Sequence, residues 1–442
     1  MLQTPRNTLE LLLLILEELK KSSCNYAIIH NADSLEEAIM GDIDLAFDTN
    51  PVNIIVPLLR KIEKNTNIKL VQCLHYDVPH GYYFIIYYKN DYLHLDCLYD
   101  PLGISRYHLS TTSLLTNCES NSVTYYVNKN NELIYNIIKR SLKGNIRNNL
   151  EKITRHLPPD EKTSSQIKQW IGNSNFDQLI HLENNNIDEA KYIFANCKIH
   201  IHDHYRKKHP FLFLYGKACS FSRKIKRFIY PTGLFIVIVG PDGCGKSTIN
   251  TGATKSLERA FRKTWSFHWR PGLLPKLGKK SSNSNFSDNS PNQKSKYKGA
   301  ISYLRFIYYW LDFILGYWLI VYPKKAQTTF IISERYYLDI LVHPERYGFS
   351  CPQWFIKLFG LFVPKPDLVF LLSADPQKIH DRKPELPVDV IAEQIKQYSD
   401  VISSWGDSSI IDTSQDIQTS TSDFVSKVLV KCSEKLKRRL NY

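Results

Sequence analysis

A glycine-rich motif in the C-terminal half constrains the fold of this chain more than any other feature. Residues 240–248 read GPDGCGKST and match the pattern GxxxxGK[ST] in full. An apolar run, Leu234–Val239, precedes the motif, and a helix-forming segment follows it. Such glycines let backbone N–H groups surround a phosphate, and the N-terminus of the next helix adds a partial positive charge. The motif therefore predicts a strand, a loop and a helix that together bind a nucleoside triphosphate.

The pattern also gives individual residues of this phosphate-binding loop their expected roles. The Lys246 ammonium should reach the β- and γ-phosphates, and the Ser247 hydroxyl should bind Mg²⁺. The expected cofactors are therefore ATP and Mg²⁺. The residues expected to contact them are Gly240, Asp242, Gly243, Cys244, Gly245, Lys246, Ser247 and Thr248. Motors, transporters and kinases all use such a loop, so the loop alone does not identify the reaction.

Further segments follow the loop in a fixed order. They are HWRPG at residues 268–272, SERY at 333–336, and PDLVFL at 366–371 followed by Arg382. With the loop, they resemble the thymidylate kinase group of nucleoside monophosphate kinases over residues 230–433. The chain looks most like the thymidylate-kinase-like proteins found among bacterial surface-polysaccharide genes. This resemblance implies a P-loop kinase domain that transfers a phosphoryl group from ATP to a small acceptor.

The resemblance also implies roles for side chains outside the loop. Asp242 would face the acceptor, Arg270 would grip its phosphate, and Arg382 would act from a lid. The implied catalytic residues are Lys246, Glu334, Arg335 and Arg382. The implied acceptor-binding residues are Asp242, Arg270 and Asp339, and the implied metal ligands of this domain are Ser247 and Glu334.

The chain departs from the family pattern in places that bear on the acceptor. Glu334 stands where the family has an aspartate that supports a metal-bound water, and Val239 replaces a glutamate before the loop. Asp339 stands where thymidylate kinases have a small hydroxyl residue, and the Ala-Tyr-Gln stretch that packs the thymine is absent. The acceptor therefore stays open among a nucleoside monophosphate such as dTMP, a sugar and a sugar phosphate.

A carboxylate pattern lies near the N-terminus. Residues 41–45 read GDIDL, which places Asp42 and Asp44 on one face of a strand because side chains alternate. Residues 94–98 read HLDCL and add Asp96 on a neighbouring strand. Three converging aspartates can hold two Mg²⁺ ions that activate a hydroxyl and stabilise a leaving pyrophosphate. We therefore expect Asp42, Asp44 and Asp96 to be metal ligands.

This carboxylate pattern resembles the nucleotidyltransferase fold of the polymerase-β type. That family has a pair of small residues upstream of the first aspartate, which hold the triphosphate, whereas this chain has His30 and Asn31. Active transfer, use of another donor, weak nucleotide binding and a scaffolding role all stay open for this domain. In the last case the aspartates would cap turns and pair with nearby lysines.

Taken together, the patterns predict an α/β chain in three parts. Short apolar runs with turn signals predict an α/β nucleotidyltransferase-like domain over residues 1–128. Apolar residues at helical spacing predict a helical connector over residues 129–228. Alternating strands and helices predict a P-loop kinase domain with a parallel sheet over residues 229–442. Its polar segment 276–298 is expected to form a mobile loop.

Charge and cysteine content restrict the partners. The chain has 57 Lys and Arg against 43 Asp and Glu, a net charge of +14 that favours a phosphate-rich partner. No RNA- or DNA-binding module is visible, so we do not expect nucleic acid as the partner. We expect a nucleotide, a small-molecule acceptor, a peripheral membrane contact and a homodimer. Nine cysteines without a CxxC pair favour reduced thiols in a cytoplasmic protein.

Two predicted helices, one apolar and one basic, bear on the expected membrane contact. Residues 301–322 are long and apolar enough to cross a bilayer, but Arg305 and Asp312 favour a core or interfacial helix. Residues 216–227 predict a basic helix that faces acidic lipid or solvent. The apolar residues of this second helix that are expected to pack on the kinase domain are Phe221, Ile225 and Phe228.

The function that the sequence favours is ATP-dependent phosphoryl transfer to a small acceptor. An alternative is a regulatory or scaffolding NTP-binding protein of polysaccharide biosynthesis whose nucleotidyltransferase domain is degenerate. The arginines at 270 and 382 favour the kinase, whereas Glu334 and Val239 keep the alternative open.

Overall fold

The computed structural model describes residues 5–29, 41–75, 81–105, 108–144, 146, 150–183, 186–277 and 299–440. The chain forms two compact units, a first unit of Met1–Ile225 and a second unit of Lys226–Tyr442. His30, Asn31 and residues 278–298 of the expected mobile loop lie outside the described residues. The predicted boundaries at 128 and 228 stay predictions.

The first unit begins with a helix and a mixed sheet. Its elements up to residue 126 are α1 (Pro5–Lys21), β1 (Tyr26–Ile28), β2 (Ile43–Phe47), α2 (Val52–Glu63), β3 (Lys69–His75), β4 (Gly81–Tyr88), β5 (Asp91–Leu98), α3 (Thr111–Leu114), β6 (Glu119–Ser120) and β7 (Tyr125–Tyr126). The strand order is β3-β4-β5-β2-β1-β7-β6. Lys89 and Asn90 connect β4 and β5 with φ of 44° and 66°, as a two-residue hairpin turn requires.

The register of this sheet sets the position of the aspartates. Strands β2 and β5 run parallel, and Asp44 lies directly opposite Asp96. In β2, Asp44 is half-buried between the buried Ile43 and Leu45, and the rest of the strand is buried. The two carboxylates therefore lie on the same face of the sheet.

Helices follow the sheet and share its core. They are α4 (Lys129–Lys143), α5 (Leu150–Thr154), α6 (Glu161–Ile171), α7 (Asn173–Ile180), α8 (Ile187–Lys208) and α9 (Pro210–Ile229), of which α9 crosses the boundary between the units. The Asn128 side chain accepts a hydrogen bond from the backbone of Asn131 at 2.9 Å and caps α4, a contact worth about 1 kcal/mol. Buried residues such as Ile137 and Phe194 pack in one cluster with Ala46 and Leu98 of the sheet. The segment expected to be a connector is thus helical, and its helices up to α8 belong to the core of the first unit.

The second unit is a layered α/β fold. Its elements are β8 (Leu234–Val239), α10 (Lys246–Leu257), β9 (Lys263–His268), α11 (Ala300–Gly316), α12 (Tyr322–Ala326), β10 (Thr329–Glu334), α13 (Tyr337–Val342), α14 (Gln353–Gly360), β11 (Leu368–Ser373), α15 (Pro376–Arg382), α16 (Val388–Ile402), β12 (Ser408–Asp412) and α17 (Ile417–Leu440). All strands of the sheet β12-β11-β8-β10-β9 are parallel. This confirms the α/β prediction. Because the carboxyl ends of parallel strands meet at one edge, the loops after β8, β9 and β10 lie together there.

A long apolar helix flanks this sheet. From Ala300 to Ala326 the chain is continuously helical, and it is the one described segment that could span a membrane by length and composition alone. One side, with Phe306 and Phe313, is fully buried in the core of the unit, whereas Leu304 and Trp318 are exposed. The two charges that the sequence placed here are both engaged, since Arg305 donates to the Leu277 carbonyl and Asp312 pairs with Arg270.

Helix α9 has several exposed apolar side chains. Phe221 is 67% exposed and Ile225 is 45% exposed. Phe228 is also exposed, and its ring packs edge to face with Tyr322, with centroids 5.0 Å apart. The apolar face is thus largely exposed, and its packing on the kinase domain stays a prediction.

Candidate functional site

The glycine-rich loop connects β8 to α10, in the order the motif predicts. Gly240, Gly243 and Gly245 have φ of 145°, 90° and 88°, a region that L side chains rarely adopt. A Cβ atom at Gly240 would also lie 2.5 Å from the Leu372 carbonyl oxygen of β11. Glycine at this position therefore lets the loop curl against the neighbouring strand.

Lys246 lies inside this curl. Its ammonium donates hydrogen bonds to the carbonyls of Gly240 at 2.9 Å and Pro241 at 2.6 Å. The side chain is 7% exposed, and Nζ lies 3.6 Å from Asp242 Oδ1. A positive charge is thus held at the start of α10, where the helix N-terminus already attracts anions.

Across the sheet edge, Glu334 at the end of β10 faces the first turn of α10. The Ser247 hydroxyl donates to Glu334 Oε2 at 3.3 Å, and the Asn250 amide donates to Oε1 at 2.9 Å. Ser247 is exposed and Glu334 is half-buried, so both remain accessible. Hydroxyl and carboxylate oxygens are the ligands that Mg²⁺ prefers. The two predicted metal ligands of this domain are therefore brought together, and their chemistry fits the ion.

Asp242 in the loop is held by two arginines. Arg335 donates to its Oδ1, and Arg346 donates to its Oδ2. Burial alone would raise the pKa of Asp242, but Lys246, Arg335 and Arg346 hold it well below its usual range. Arg346 lies in a short 3₁₀ turn after α13 and was missed at the sequence level, because only the tertiary fold brings it to the loop.

The backbone that carries Arg335 is strained. Arg335 and the next residue, Tyr336, have φ of 77° and 58°, which non-glycine residues seldom adopt in succession. The Arg335 N–H donates to the Ile238 carbonyl of β8 at 2.8 Å, which ties this bend to the strand before the loop. Strain of this kind is typical of functional sites, where it fixes the direction of a side chain.

The buried Asp339 carboxylate pairs with Arg335. Its carboxylate is fully buried and accepts hydrogen bonds from the hydroxyls of Tyr347 and Tyr398 and from Arg335, the last at 3.3 Å. Burial would raise the pKa of Asp339, but Arg335, Arg346 and the two hydroxyls keep it lowered. All of these partners come from the chain itself, so Asp339 occupies a supporting position, and its acceptor contact stays a prediction.

Arg270 is also engaged within the chain. Its Nη1 donates to Asp312 Oδ2 and to the Leu274 carbonyl, both at 2.7 Å, and its side chain is 5% exposed. The guanidinium stacks 5.0 Å from the Tyr309 ring. Asp312 additionally accepts from the Leu274 N–H at 2.6 Å. These contacts make Arg270 the anchor of the turn after β9, and its grip on an acceptor phosphate stays a prediction.

An aromatic pair lies beside the arginines. The rings of Trp269 and Tyr347 are parallel within 11° and their centroids are 4.3 Å apart. The Trp269 backbone N–H donates to the Glu334 carbonyl at 2.7 Å, which places the pair at the same sheet edge. The indole Nε1 of Trp269 is buried and has no hydrogen-bond partner among the described residues. This pair offers a flat apolar surface with one buried donor.

Arg382, the expected lid residue, ends helix α15. It is exposed, and its Nη2 donates to the Thr413 carbonyl at 2.8 Å. The next residue, Lys383, lies against the phosphate-binding loop. A Cβ atom added to Gly243 would be 3.0 Å from the Cβ of Lys383. Arg382 therefore lies next to the loop without contacting it, and its catalytic role stays a prediction.

In the first unit, the three predicted aspartates have different surroundings. Asp42 accepts from the Tyr83 hydroxyl at 2.6 Å and lies 3.3 Å from His94 Nδ1. Desolvation by burial would raise the pKa of Asp42, but the contacts with His94 and Tyr83 lower it below its usual value. The pKa of Asp96 is raised to about 7, by desolvation first and then by the charge of Asp44.

Lys139 on α4 reaches into this group and was not anticipated from the sequence. Its ammonium donates to both carboxylate oxygens of Asp44, each at 3.2 Å. The lysine is buried, and Asp44 raises its pKa against the effect of desolvation. Within the described ranges, no three His, Cys, Asp or Glu side chains are arranged to hold a metal ion. The metal roles of Asp42, Asp44 and Asp96 stay predictions.

Among the solved structures, the chain is similar to a thymidylate kinase from Ehrlichia chaffeensis. The two chains are 15% identical, and the likeness covers 45% of this chain and all of that one, with a TM-score of 0.29. A likeness this distant carries no argument about activity. No family model and no curated protein matches the chain.

Proposed function

We propose that the second unit transfers the terminal phosphoryl group of ATP to a small acceptor. The observation that carries this proposal is the pairing of two groups at one sheet edge. Ser247 faces Glu334 on one side of the loop, while Asp242 is held by Arg335 and Arg346 on the other. Phosphoryl transfer needs positioning and charge neutralisation more than covalent chemistry, and this arrangement supplies both.

On the donor side, the loop backbone and Lys246 bind the phosphates of ATP. Ser247 and Glu334 hold Mg²⁺, which when bound neutralises charge on the phosphate oxygens. Asn250 orients the Glu334 carboxylate through its amide, since the bond to Oε1 is 2.9 Å. Glutamate in place of the family's aspartate is compatible with this role because its carboxylate already reaches Ser247.

On the acceptor side, Arg346 and the aromatic pair Trp269 and Tyr347 define the chemistry. Arg346 binds the acceptor phosphate by exchanging its contact with Asp242, since an arginine fork suits phosphate as well as carboxylate. The flat aromatic surface favours an acceptor with a ring, such as a base or a sugar. A nucleoside monophosphate such as dTMP and a sugar phosphate both meet these requirements, and a neutral sugar leaves Arg346 without a ligand.

The alternative, an NTP-binding regulatory or scaffolding protein, is favoured by one observation in the first unit. Lys139 neutralises Asp44, so one of the three aspartates already has a cationic partner within the chain. In this alternative the first unit is a scaffold and the second unit hydrolyses ATP without an acceptor.

A panel of acceptors tests the proposal. The full chain is incubated with γ-labelled ATP and Mg²⁺ and with nucleoside monophosphates, sugar phosphates or neutral sugars. We expect label in a phosphorylated acceptor, and about 10²-fold slower labelling of that acceptor when the protein carries Arg346→Ala. If label appears only as inorganic phosphate, and no acceptor changes the rate of its release, the result would support the regulatory or scaffolding alternative.

A further inference from the structure

Helix α9 presents an apolar stripe to solvent. The exposed fractions are 85% for Phe211, 63% for Leu214 and 67% for Phe221, and Ile225 and Phe228 are also exposed. These positions are separated by three, four or seven residues, which places them on one side of a helix of 3.6 residues per turn. Large exposed apolar side chains in one row indicate a surface that binds something.

The opposite side of α9 fixes this orientation. Gly216 is the one buried residue among the described residues of the helix. A Cβ atom at Gly216 would lie 2.4 Å from the Ile104 carbonyl oxygen. The helix backbone is therefore packed directly against the backbone at Ile104, within the first unit. Phe213 adds a ring contact with His108 at 6.2 Å between centroids. The helix is therefore docked through Gly216, and the apolar stripe lies on the far side.

The charge of this helix has a single sign. Residues 210–229 contain no Asp or Glu, and their cations are Lys217, Arg223, Lys224, Lys226 and Arg227. At helical spacing, Lys217, Lys224 and Lys226 flank the stripe on its two edges. Lysines at such edges extend their ammonium groups past an apolar contact into a polar layer.

We propose that the apolar stripe of α9, with its flanking lysines, docks on a membrane surface that contains anionic lipids. A basic helix with exposed aromatic and aliphatic residues on one face lies in the lipid interface, where the apolar side chains enter and the cations meet the headgroups. Each Lys or Arg near an anionic surface adds roughly fivefold to the affinity. A second copy of the chain is a poor partner by comparison, because it would oppose five cations with five more. This inference is independent of the proposed function of the second unit.

Vesicle co-sedimentation of the full chain tests the proposal. The vesicles are phosphatidylcholine alone or phosphatidylcholine with phosphatidylserine. We expect binding to the mixed vesicles at least about tenfold tighter than to phosphatidylcholine alone, and weaker at high salt because the charges are exposed.

Two variants separate the contributions of the stripe and of the lysines. Leu214→Gln, Phe221→Gln and Ile225→Gln in one chain should abolish binding to both kinds of vesicle. Lys217→Gln, Lys224→Gln and Lys226→Gln should weaken binding to the mixed vesicles by on the order of 10²-fold. The charge-matched control removes three exposed lysines elsewhere, Lys129→Gln, Lys162→Gln and Lys255→Gln, and should bind within a few-fold of the unmodified chain.

Three outcomes would overturn the proposal. One is that the unmodified chain binds neither kind of vesicle, and another is that the control loses as much binding as the α9 lysine variant. The third is a homodimer in solution that the stripe variant dissociates without any vesicles, which would assign the stripe to a second copy. Circular dichroism and ATP binding of each variant show that the fold is retained, so loss of vesicle binding is not a consequence of unfolding.

Discussion

Arg346 donates a hydrogen bond to Asp242 of the phosphate-binding loop, although 104 positions separate the two residues in the chain. The contact joins the loop that would bind the donor to the segment that follows α13. With Arg335 on the other oxygen, Asp242 keeps both arginines at the place where an acceptor phosphate would enter. This relationship links the two halves of the proposed reaction.

Replacing Arg346 tests the acceptor side of the site. Arg346→Ala should lower kcat/KM for the acceptor by about 10²-fold, because one donor aimed at a transferring group is lost. The KM for ATP should change less, because the Arg346 guanidinium hydrogen-bonds to the Asp242 carboxylate and not to Lys246 or Ser247. Steady-state kinetics with each substrate varied in turn measure both values. Lys357→Ala on exposed α14 is the control, and an equal loss there would remove Arg346 from the mechanism.

Replacing Glu334 tests the metal site. Glu334→Gln keeps the shape of the side chain but removes its charge, so the Mg²⁺ concentration needed for half-maximal ATP turnover should rise by about 10- to 100-fold. Asn250→Ala removes only the amide that orients Glu334 Oε1 and should produce a smaller rise. Mg²⁺ titrations at saturating ATP measure the effect. An unchanged Mg²⁺ requirement in Glu334→Gln would contradict the assignment.

Replacing Asp339 tests its supporting position. Asp339→Asn leaves the buried Arg335 with the Asp242 carboxylate as its remaining charged partner. The free energy of unfolding should therefore fall, but by less than the roughly 3–5 kcal/mol expected when a buried charge loses its partner altogether. Urea denaturation measures the change. Asp400→Asn on the exposed side of α16 should stay within about 0.5 kcal/mol of the unmodified chain. Equal effects of the two substitutions would show that Asp339 has no special structural role.

His108 predicts a pH dependence of stability in the first unit. Desolvation and the neighbouring His202 lower the pKa of His108 from 6.5 to about 4. The unfolded chain therefore binds this proton more readily, so stability that is present above pH 6.5 is lost as the pH falls towards 4. A shift of this size corresponds to a loss of roughly 3 kcal/mol at most.

In the unmodified chain the ring centroids of His108 and Tyr205 are 3.9 Å apart. His108→Phe keeps an aromatic ring at this position, and the new side chain cannot be protonated. The free energy of unfolding of this variant should depend less on pH between 4 and 6.5 than that of the unmodified chain. Thermal or urea unfolding over this range measures the slope. Parallel slopes for the two proteins would exclude His108 as the titrating group.

The local parts of the second unit could be predicted from its sequence. The loop and its flanking strand and helix follow from a motif whose residues are close in the chain. The shared metal role of Ser247 and Glu334 was implied by the family resemblance. Arg346, Tyr347 and Tyr398 could not be placed, because they reach Asp242 and Asp339 through tertiary packing that no spacing encodes. The contact of Arg270 with Asp312, 42 positions away, could not be predicted for the same reason, and the acceptor role of Arg270 stays a prediction.

In the first unit and in α9, too, contacts between residues distant in the chain could not be predicted from the sequence. The alternation of GDIDL predicts strand β2 and the shared face of Asp42 and Asp44, but Lys139 arrives from a helix 95 positions later. The composition of α9 predicts a basic helix, and its apolar face was expected to pack on the kinase domain. Contact between Gly216 and Ile104 turns that face outward instead, a consequence of backbone proximity that the sequence does not reveal.

The most direct test of the central claim is the fate of the γ-phosphoryl group of ATP in the unmodified chain and in two variants. With an acceptor from the panel, the unmodified chain and Asp42→Ala should label the acceptor at equal rates. Lys246→Ala should lose this labelling by about 10²- to 10³-fold, because the cation at the loop is removed. Failure of the unmodified chain to label any acceptor, or labelling that persists in Lys246→Ala, would contradict phosphoryl transfer at this loop.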